Sequence, residues 1–215
     1  MKKALSLLMA VTMTFGLAAC GSSASTGTES SSAADTTTSD TAETSAADTG
    51  TAEGKVYKVG ICQLVQHDAL DAATQGFKDA LTEKLGEGNV EFDEQNASGD
   101  TANCSTIING FVSSGVDLIL ANATAPLQTA TQATSEIPIL GTSVTDYATA
   151  LDISDWTGTV GGNVSGTSDL APLDQQAAMI TELFPDAKNI GLLYCSAEAN
   201  SQYQVDEMTK YLTEL

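Results

Sequence analysis

Continuous apolar runs alternate with amphipathic stretches from residue 55 onward. The runs KVYKVGICQLV, VDLILANA and IPILGTSV lack the in–out alternation of a half-exposed strand, which is typical of strands buried on both faces. Between the first two runs, Asp68–Leu85 repeats apolar residues at helical spacing. We therefore expect a Rossmann-like α/β fold, in which helices cover both faces of a parallel sheet.

The remaining elements follow from the same patterns. Gly86 and Gly88 should end the first helix, and Asp100 should cap the second. We expect further strands in NVEFDEQNA and NIGLLYCS, and further helices over residues 126–135, 172–184 and 198–215.

The stretch GGNVSGTSD, residues 161–169, has the glycine spacing of a phosphate-binding loop and is expected to be a loop. Gly161 and Gly166 are separated by four residues, but Thr167 stands where a phosphate-binding loop has lysine. Ser168 and Asp169 follow, and the aspartate would repel a phosphate. The pattern favours a small polar ligand without a phosphate group.

The first 20 residues, MKKALSLLMAVTMTFGLAAC, have a basic start, a short apolar run and small residues before Cys20. This pattern resembles the lipobox of bacterial lipoproteins, in which the cysteine is lipidated. An ordinary secretory signal with an incidental cysteine is the alternative. Residues 21–54 are almost entirely Ser, Thr, Ala, Gly, Asp and Glu, which predicts a disordered linker between a signal peptide and the folded part.

The charge of the chain and its histidine and cysteine content argue against nucleic-acid binding and against a metal site. The chain has 8 basic and 28 acidic residues, a net charge of -20, which opposes nucleic-acid binding. Its single histidine and its cysteine spacings offer no metal site, and no cofactor is expected. Cys62 and Cys195 lie in apolar strand-like runs and are expected to be buried free thiols, with a disulfide between two of Cys62, Cys104 and Cys195 as the alternative.

Polar residues follow the predicted strands at the ends where ligands bind in parallel sheets, beside helix N-termini. They carry hydroxyl, amide and carboxylate groups, which suit a small polar or zwitterionic ligand. The polar candidates are Gln63 and His67 after the first strand, Thr124 after the third, Thr142 and Thr145 after the fourth, and Tyr194, Glu198 and Asn200 after the fifth. Ala123, beside Thr124, is a candidate for its backbone at the start of a helix.

Five stretches in this order resemble the substrate-binding lipoproteins of ABC transporters in the TrpX-like family: YKVGICQLVQHDALDAATQGFKDAL, DLILANATAPLQTA, IPILGTSVTDY, GGNVSGTSDLAP and IGLLYCSAEANS. The resemblance implies a type I periplasmic-binding-protein fold, a first lobe over residues 55–168 and the start of a second lobe over 169–215. It also implies an aromatic amino acid such as tryptophan as ligand, ABC permease subunits as partners, and a lipid-anchored position outside the cytoplasmic membrane.

Each end of an amino acid has candidate partners. The helix N-terminus at Ala123 and Thr124 suits the carboxylate, and Thr142 and Thr145 add hydroxyl donors. Asp169 is the first candidate for the ammonium group, and Glu198 is the second.

The remaining candidates have smaller roles. Thr167 and Ser168 would supply hydrogen bonds, and Tyr194 would face the cleft. His67 would bind the ligand or simply begin a helix.

Other functions compete with this interpretation. An enzyme of the serine-nucleophile type is not expected, because the sequence has no G-x-S-x-G elbow. A sugar- or nucleoside-binding protein of the same fold is an alternative, although the chain contains no arginine. A ligand-sensing domain for a membrane receptor would use the same cleft.

Overall fold

The computed structural model of the chain describes residues 54–215. The predicted signal peptide, the predicted lipidation site Cys20 and nearly all of the predicted linker lie outside these residues. Among the described residues, no helix combines the length and apolar character needed to cross a bilayer.

Five parallel strands form one sheet in the order β2-β1-β3-β4-β5. The strands are β1 (Tyr57–Gln63), β2 (Val90–Asn96), β3 (Leu118–Asn122), β4 (Ile139–Val144) and β5 (Val164–Ser168). The parallel pairing confirms the predicted α/β class, and the first four strands lie where the sequence predicts them.

The helices alternate with the strands and then follow them. They are α1 (Asp68–Leu85), α2 (Thr101–Ser114), α3 (Thr124–Ala133), α4 (Tyr147–Ala150), α5 (Leu173–Leu183) and α6 (Ala199–Glu214). The Asp100 side chain accepts a hydrogen bond from the Ala102 N–H at 2.7 Å, which confirms its predicted capping role. Gly86 has a φ of 92° and ends α1 as predicted.

The core has two parts because successive strand side chains point to opposite faces of the sheet. Cys62, Ile119 and Val144 pack with residues of α2 and α3 on one face. Val59 and Ile61 pack with residues of α1 on the other. Each large apolar side chain buried here contributes about 1.5–3 kcal/mol relative to an exposed position.

The predicted loop at residues 161–169 is partly a strand. β5 pairs with β4 from the Ile139–Val164 pair to the Val144–Ser168 pair, so the loop assignment was wrong for residues 164–168. Gly161 and Gly162, with φ of 80° and 62°, form the turn before it. Glycine suits the turn because its backbone adopts positive φ without strain.

The strand predicted in NIGLLYCS does not form. Residues 189–195 have no regular structure and pair with no strand of the described part, and Leu193 is fully exposed. A strand needs a neighbour for its backbone N–H and C=O groups, and an apolar run alone does not supply one. The prediction that Cys195 is buried was wrong for the same reason, whereas Cys62 is buried as expected, and Cys104 is buried too.

Candidate functional site

The order of the sheet reverses between β1 and β3, and a ligand crevice is expected outside the carboxyl ends of strands at such a point. A cavity of about 330 Å³ lies there. Its walls come from the segments after β1 and β3, the first turn of α3, and the segment that leads into α6.

The N-terminus of α3 forms one wall of this cavity and presents free backbone donors. Ala123 is the N-cap, and no side chain of the described residues caps the helix. Leu127 donates its N–H to the Ala123 carbonyl at 3.2 Å, and Pro126 has no N–H. The N–H groups of Thr124 and Ala125 therefore remain for a ligand, at the positive end of the helix dipole.

Two backbone positions beside this wall are strained. Ala123 has φ 112° and ψ 170°, a conformation that glycine alone adopts freely. Ser143, after the middle of β4, has a φ of 54° and also lines the cavity. Ala123 is held by donating its N–H to the Thr142 carbonyl at 3.0 Å. Such strain costs roughly 1–3 kcal/mol per residue and clusters at ligand sites.

The segment that leads into α6 supplies a carboxylate. Glu198 is the N-cap of α6, and its N–H donates to the Cys195 carbonyl at 3.2 Å. The Asn200 side-chain amide donates to a Glu198 carboxylate oxygen at 3.4 Å. Glu198, Asn200 and Cys195 line the same cavity as Ala123, Thr124 and Ala125, so an acidic residue and the N-terminus of α3 belong to one site.

A buried polar network lies beneath the carboxyl ends of β1 and β3. The Thr74 hydroxyl donates to the Gln63 side-chain oxygen at 2.8 Å, and Gln63 Nε2 donates to an Asp71 carboxylate oxygen at 2.6 Å. Asn122 Nδ2 donates to Thr74 Oγ1 at 2.9 Å and to the Leu70 carbonyl at 2.8 Å. These bonds fix the start of α1 to the sheet below the site.

Comparison with known proteins identifies the family. Residues 58–215 match the family model described as ABC transporter substrate binding protein. The chain belongs to this family. The resemblance noted in the sequence is therefore confirmed at the level of the family, whose members are binding proteins rather than enzymes.

Several relatives of this substrate-binding family are similar over the same part of the chain. The "Tyrosine-binding protein" of Clostridioides difficile (strain R20291) is 42% identical over 163 residues, which are 75% of this chain and 47% of the relative. An ABC domain from Streptococcus pneumonia, solved in complex with L-Trp, is 35% identical with a TM-score of 0.69 and matches 74% of this chain and 54% of that one.

A third relative is a substrate binding protein with adhesive properties from Clostridium difficile, solved in a ligand-free, open structure. It is 41% identical, with a TM-score of 0.58, over 74% of this chain and 54% of that one. The chain spans about half the length of the relatives it matches.

Four of the residues that the sequence of this chain predicts for the ligand site line the cavity: Ala123, Thr124, Glu198 and Asn200. The cavity is also lined by residues that the sequence analysis did not name, among them Leu64, Gly99, Gln128 and Cys195. Ser143 lines it as well, at a point where the pairing of β4 with β5 is irregular and the backbone has a φ of 54°, so regular strand alternation does not hold there and could not have indicated this residue. Cys195 was missed because it was assigned to a buried strand.

The other predicted residues lie around the cavity rather than in its walls. Gln63 directs its amide into the buried network. His67 is the N-cap of α1, and its Nδ1 accepts the Ala69 N–H at 3.2 Å. Thr142 is half-buried in β4, and Tyr194 is 42% exposed. Their roles toward a ligand stay predictions.

Residues 167–169, at the end of β5, lie beside the carboxyl end of β4. The Ser168 hydroxyl donates to the Thr145 carbonyl at 2.7 Å, and the exposed Asp169 donates its N–H to the Val144 carbonyl at 3.1 Å. The Tyr147 hydroxyl donates to the Thr167 carbonyl at 3.2 Å. Burial, with a smaller contribution from the Asp169 charge, raises the pKa of Tyr147 to about 12.

Within residues 54–215, no group of three His, Cys, Asp or Glu side chains is arranged to hold a metal ion. The cavity thus offers backbone N–H groups, hydroxyls, two side-chain amides and a carboxylate. These groups can hold a small organic ligand by charge and hydrogen bonding.

Proposed function

We propose that the chain is the extracytoplasmic, lipid-anchored binding component of an ABC importer, and that it captures an aromatic amino acid such as tryptophan or tyrosine. Cys20 would carry the lipid, and ABC permease subunits would receive the ligand. The ligand class is supported by the two relatives whose names mention tyrosine and L-Trp.

The observation that carries this proposal is the pairing of charges in the cavity. An amino acid has a carboxylate and an ammonium group a short distance apart. The free N–H groups of Thr124 and Ala125 suit the carboxylate, because the N-terminus of α3 favours an anion. Glu198 in the same cavity suits the ammonium group, and Asn200 orients its carboxylate.

The size of the cavity agrees with a ligand of this class. Its volume of about 330 Å³ lies at the small end of ligand pockets, which run from roughly 300 to 1,000 Å³. Leu64, Ala123 and Ala197 give its walls apolar surface beside the polar groups. One small ligand with a polar head group and an apolar side chain would fill it.

Ligand-dependent melting of the purified full chain tests this function. The chain is melted with each of the twenty common amino acids, with ribose and with uridine. A ligand at 100 times its Kd adds about 2.7 kcal/mol to the free energy of unfolding. We expect shifts with tryptophan, tyrosine or phenylalanine, and a shift with ribose or uridine alone would overturn the ligand class.

Analogues of the ligand separate the two charge interactions. Tryptamine lacks the carboxylate of tryptophan, and indole-3-propionate lacks the ammonium group. We expect both to bind more weakly than tryptophan in calorimetry, because each leaves one wall of the cavity without its partner. Equal binding of all three compounds would contradict recognition of a zwitterion.

The lipid anchor has its own test. Metabolic labelling with a palmitate analogue in a bacterial host should label the wild-type chain and not the Cys20→Ala variant. Equal labelling of the wild type and the variant, or no label on the wild type, would contradict the anchor without affecting the ligand assignment.

A further inference from the structure

Gln128 lies on α3 one helical turn beyond Thr124, and both residues line the ligand cavity. Residues four positions apart lie on the same face of a helix, with about 5–6 Å between their Cβ atoms. Helical side chains also tilt toward the helix N-terminus. The Gln128 side chain therefore belongs to the same wall of the cavity as the free N–H groups of Thr124 and Ala125.

A hydrogen bond fixes one end of the Gln128 amide. Gln128 Nε2 donates to the carbonyl of Ala150, the last residue of α4, at 2.8 Å. A carbonyl oxygen only accepts hydrogen bonds, so this contact determines which end of the amide is the nitrogen. The other end is the oxygen Oε1, and no donor among residues 54–215 forms a hydrogen bond to it.

Gln128 stands between the ligand cavity and a second cavity of about 370 Å³. Among the described residues, it is the one that lines both. Ala150 lines the second cavity and not the ligand cavity. Because the Nε2 end is held at the second cavity, Oε1 is the polar side-chain atom of Gln128 that remains for the ligand cavity.

We propose that Gln128 determines specificity for the aromatic side chain, because its Oε1 accepts a hydrogen bond from the indole N–H of tryptophan or the phenol O–H of tyrosine. This inference rests on the proposed function, in which the ligand carboxylate binds at the N-terminus of α3. The indole N–H and the phenol O–H lie at the other end of each ligand from its carboxylate. Gln128 lies one turn from that helix terminus, a distance that a single aromatic amino acid can span.

The acceptor gives selectivity because an unpaired polar atom in a closed site is costly. Gln128 is half-buried, and its bond to Ala150 prevents the amide from turning over. A ligand without the donor displaces water from Oε1 and leaves it against an apolar ring. Sites that hydrogen-bond a ligand N–H or O–H reject analogues without it more strongly than apolar pockets reject a change of one methylene. We therefore expect tryptophan and tyrosine to bind more tightly than phenylalanine.

Calorimetry on the full chain with two matched ligand pairs tests this role. Tryptophan is compared with 3-benzothienylalanine, in which sulfur replaces the indole N–H, and tyrosine is compared with phenylalanine. The wild type should prefer the first compound of each pair by about tenfold or more. Gln128→Met removes the acceptor and should bring both ratios of affinity close to one. Gln132→Met, one turn farther along α3 at a residue that lines only the second cavity, is the matched control and should keep the wild-type ratios.

The ratio of affinities separates specificity from stability. Loss of the bond to Ala150 acts on both compounds of a pair, so a merely structural role would leave their ratio unchanged. Thermal melts establish folding, and Gln128→Ala is a second variant without the acceptor that retains high helix propensity. Equal binding within each pair by the wild type, or a preference that persists in a folded Gln128 variant, would overturn the role of Gln128 and leave the proposed function standing. Binding of none of the four compounds by the wild type would overturn both.

Discussion

The Tyr147 hydroxyl donates to the backbone carbonyl of Thr167 across the β4–β5 pair. It can do so because Gly141 and Gly166 are partners in the parallel register and leave no side chain in its way. An added Cβ at either glycine would clash with that hydroxyl. The two glycines and the tyrosine are therefore one packing unit, which holds the segment before Asp169.

The Gly141→Ala substitution should destabilise the chain. The new methyl group would overlap the Tyr147 ring and hydroxyl, and overpacking of this kind costs roughly 1–3 kcal/mol. Gly76→Ala is the matched control, because nothing lies within 4 Å of an added Cβ at that exposed position of α1. The control should stabilise by about 0.5–1 kcal/mol, since alanine is the better helix former.

Urea denaturation of both variants measures the two effects. Adding Tyr147→Phe to Gly141→Ala should recover part of the loss, because it removes the atom nearest the new methyl group. Equal stability of Gly141→Ala and Gly76→Ala would contradict the packing unit.

Alkaline pH should destabilise the chain through Tyr147. Its pKa is raised to about 12 in the folded state from 10.0, so the folded chain keeps a proton that the unfolded chain loses between these values. The contribution of Tyr147 is therefore fully present below about pH 10 and is lost as pH rises toward about 12.

The difference between wild type and Tyr147→Phe isolates this effect from other titrating groups. Phenylalanine cannot ionise, so the variant should lose less stability over that pH range, by about 2 kcal/mol. Denaturant midpoints at pH 9 and at higher pH give the comparison. Parallel curves for the two proteins would show that Tyr147 ionises normally.

Ala123→Gly should stabilise the chain. Ala123 has a φ of 112°, and glycine adopts this conformation without the steric cost of a Cβ. We expect a net gain of about 1 kcal/mol, after the larger entropy that glycine loses on folding. Ala125→Gly, two residues later inside α3, should destabilise by up to about 1 kcal/mol. Thermal unfolding distinguishes the opposite signs, and a loss in both variants would contradict strain at Ala123.

Elements with local signals could be predicted from the sequence. The bounds of α1 follow from apolar spacing and from Gly86, and the start of α2 follows from the capping aspartate at Asp100. These signals lie within one turn of the residues they order. The strands β1 to β4 were predicted because continuous apolar runs that alternate with helices are typical of a parallel sheet buried on both faces.

Elements that depend on distant partners could not be predicted. β5 is polar and glycine-rich, and its pairing with β4 becomes visible only when Tyr147 is seen to fill the space over Gly166. The strand prediction for the apolar run before Cys195 failed for the opposite reason. The run has the composition of a strand, but no strand among residues 54–215 pairs with it.

Side-chain direction limited the site prediction in the same way. Gln63 lies at the end of β1, where a ligand residue was expected. The alternation of the strand turns its amide toward Thr74 and Asp71, inside the protein. The position of a residue along a strand could be predicted from the sequence. The direction of its side chain could be assigned only once the pairing of the strands was known.

Two carboxylates, Glu198 and Asp169, are the candidates for binding the ammonium group of the proposed ligand. Glu198 lines the cavity, whereas Asp169 is exposed beside Tyr147 and is not among the lining residues. We expect Glu198→Gln to weaken tryptophan binding by about 1–3 kcal/mol, because it removes the charge and keeps the shape. Asp169→Asn is the matched comparison, and it should bind tryptophan nearly as well as the wild type.

Calorimetry on both variants decides between the two carboxylates, with a thermal melt of each variant to establish that it is folded. Tryptamine provides the internal check, because it keeps the ammonium group and should lose affinity in the same variant as tryptophan. Indole-3-propionate lacks that group and should not discriminate between Glu198→Gln and the wild type. A loss confined to Asp169→Asn would move the ammonium site to the end of β5, and the cavity between α3 and α6 would then hold the carboxylate end alone.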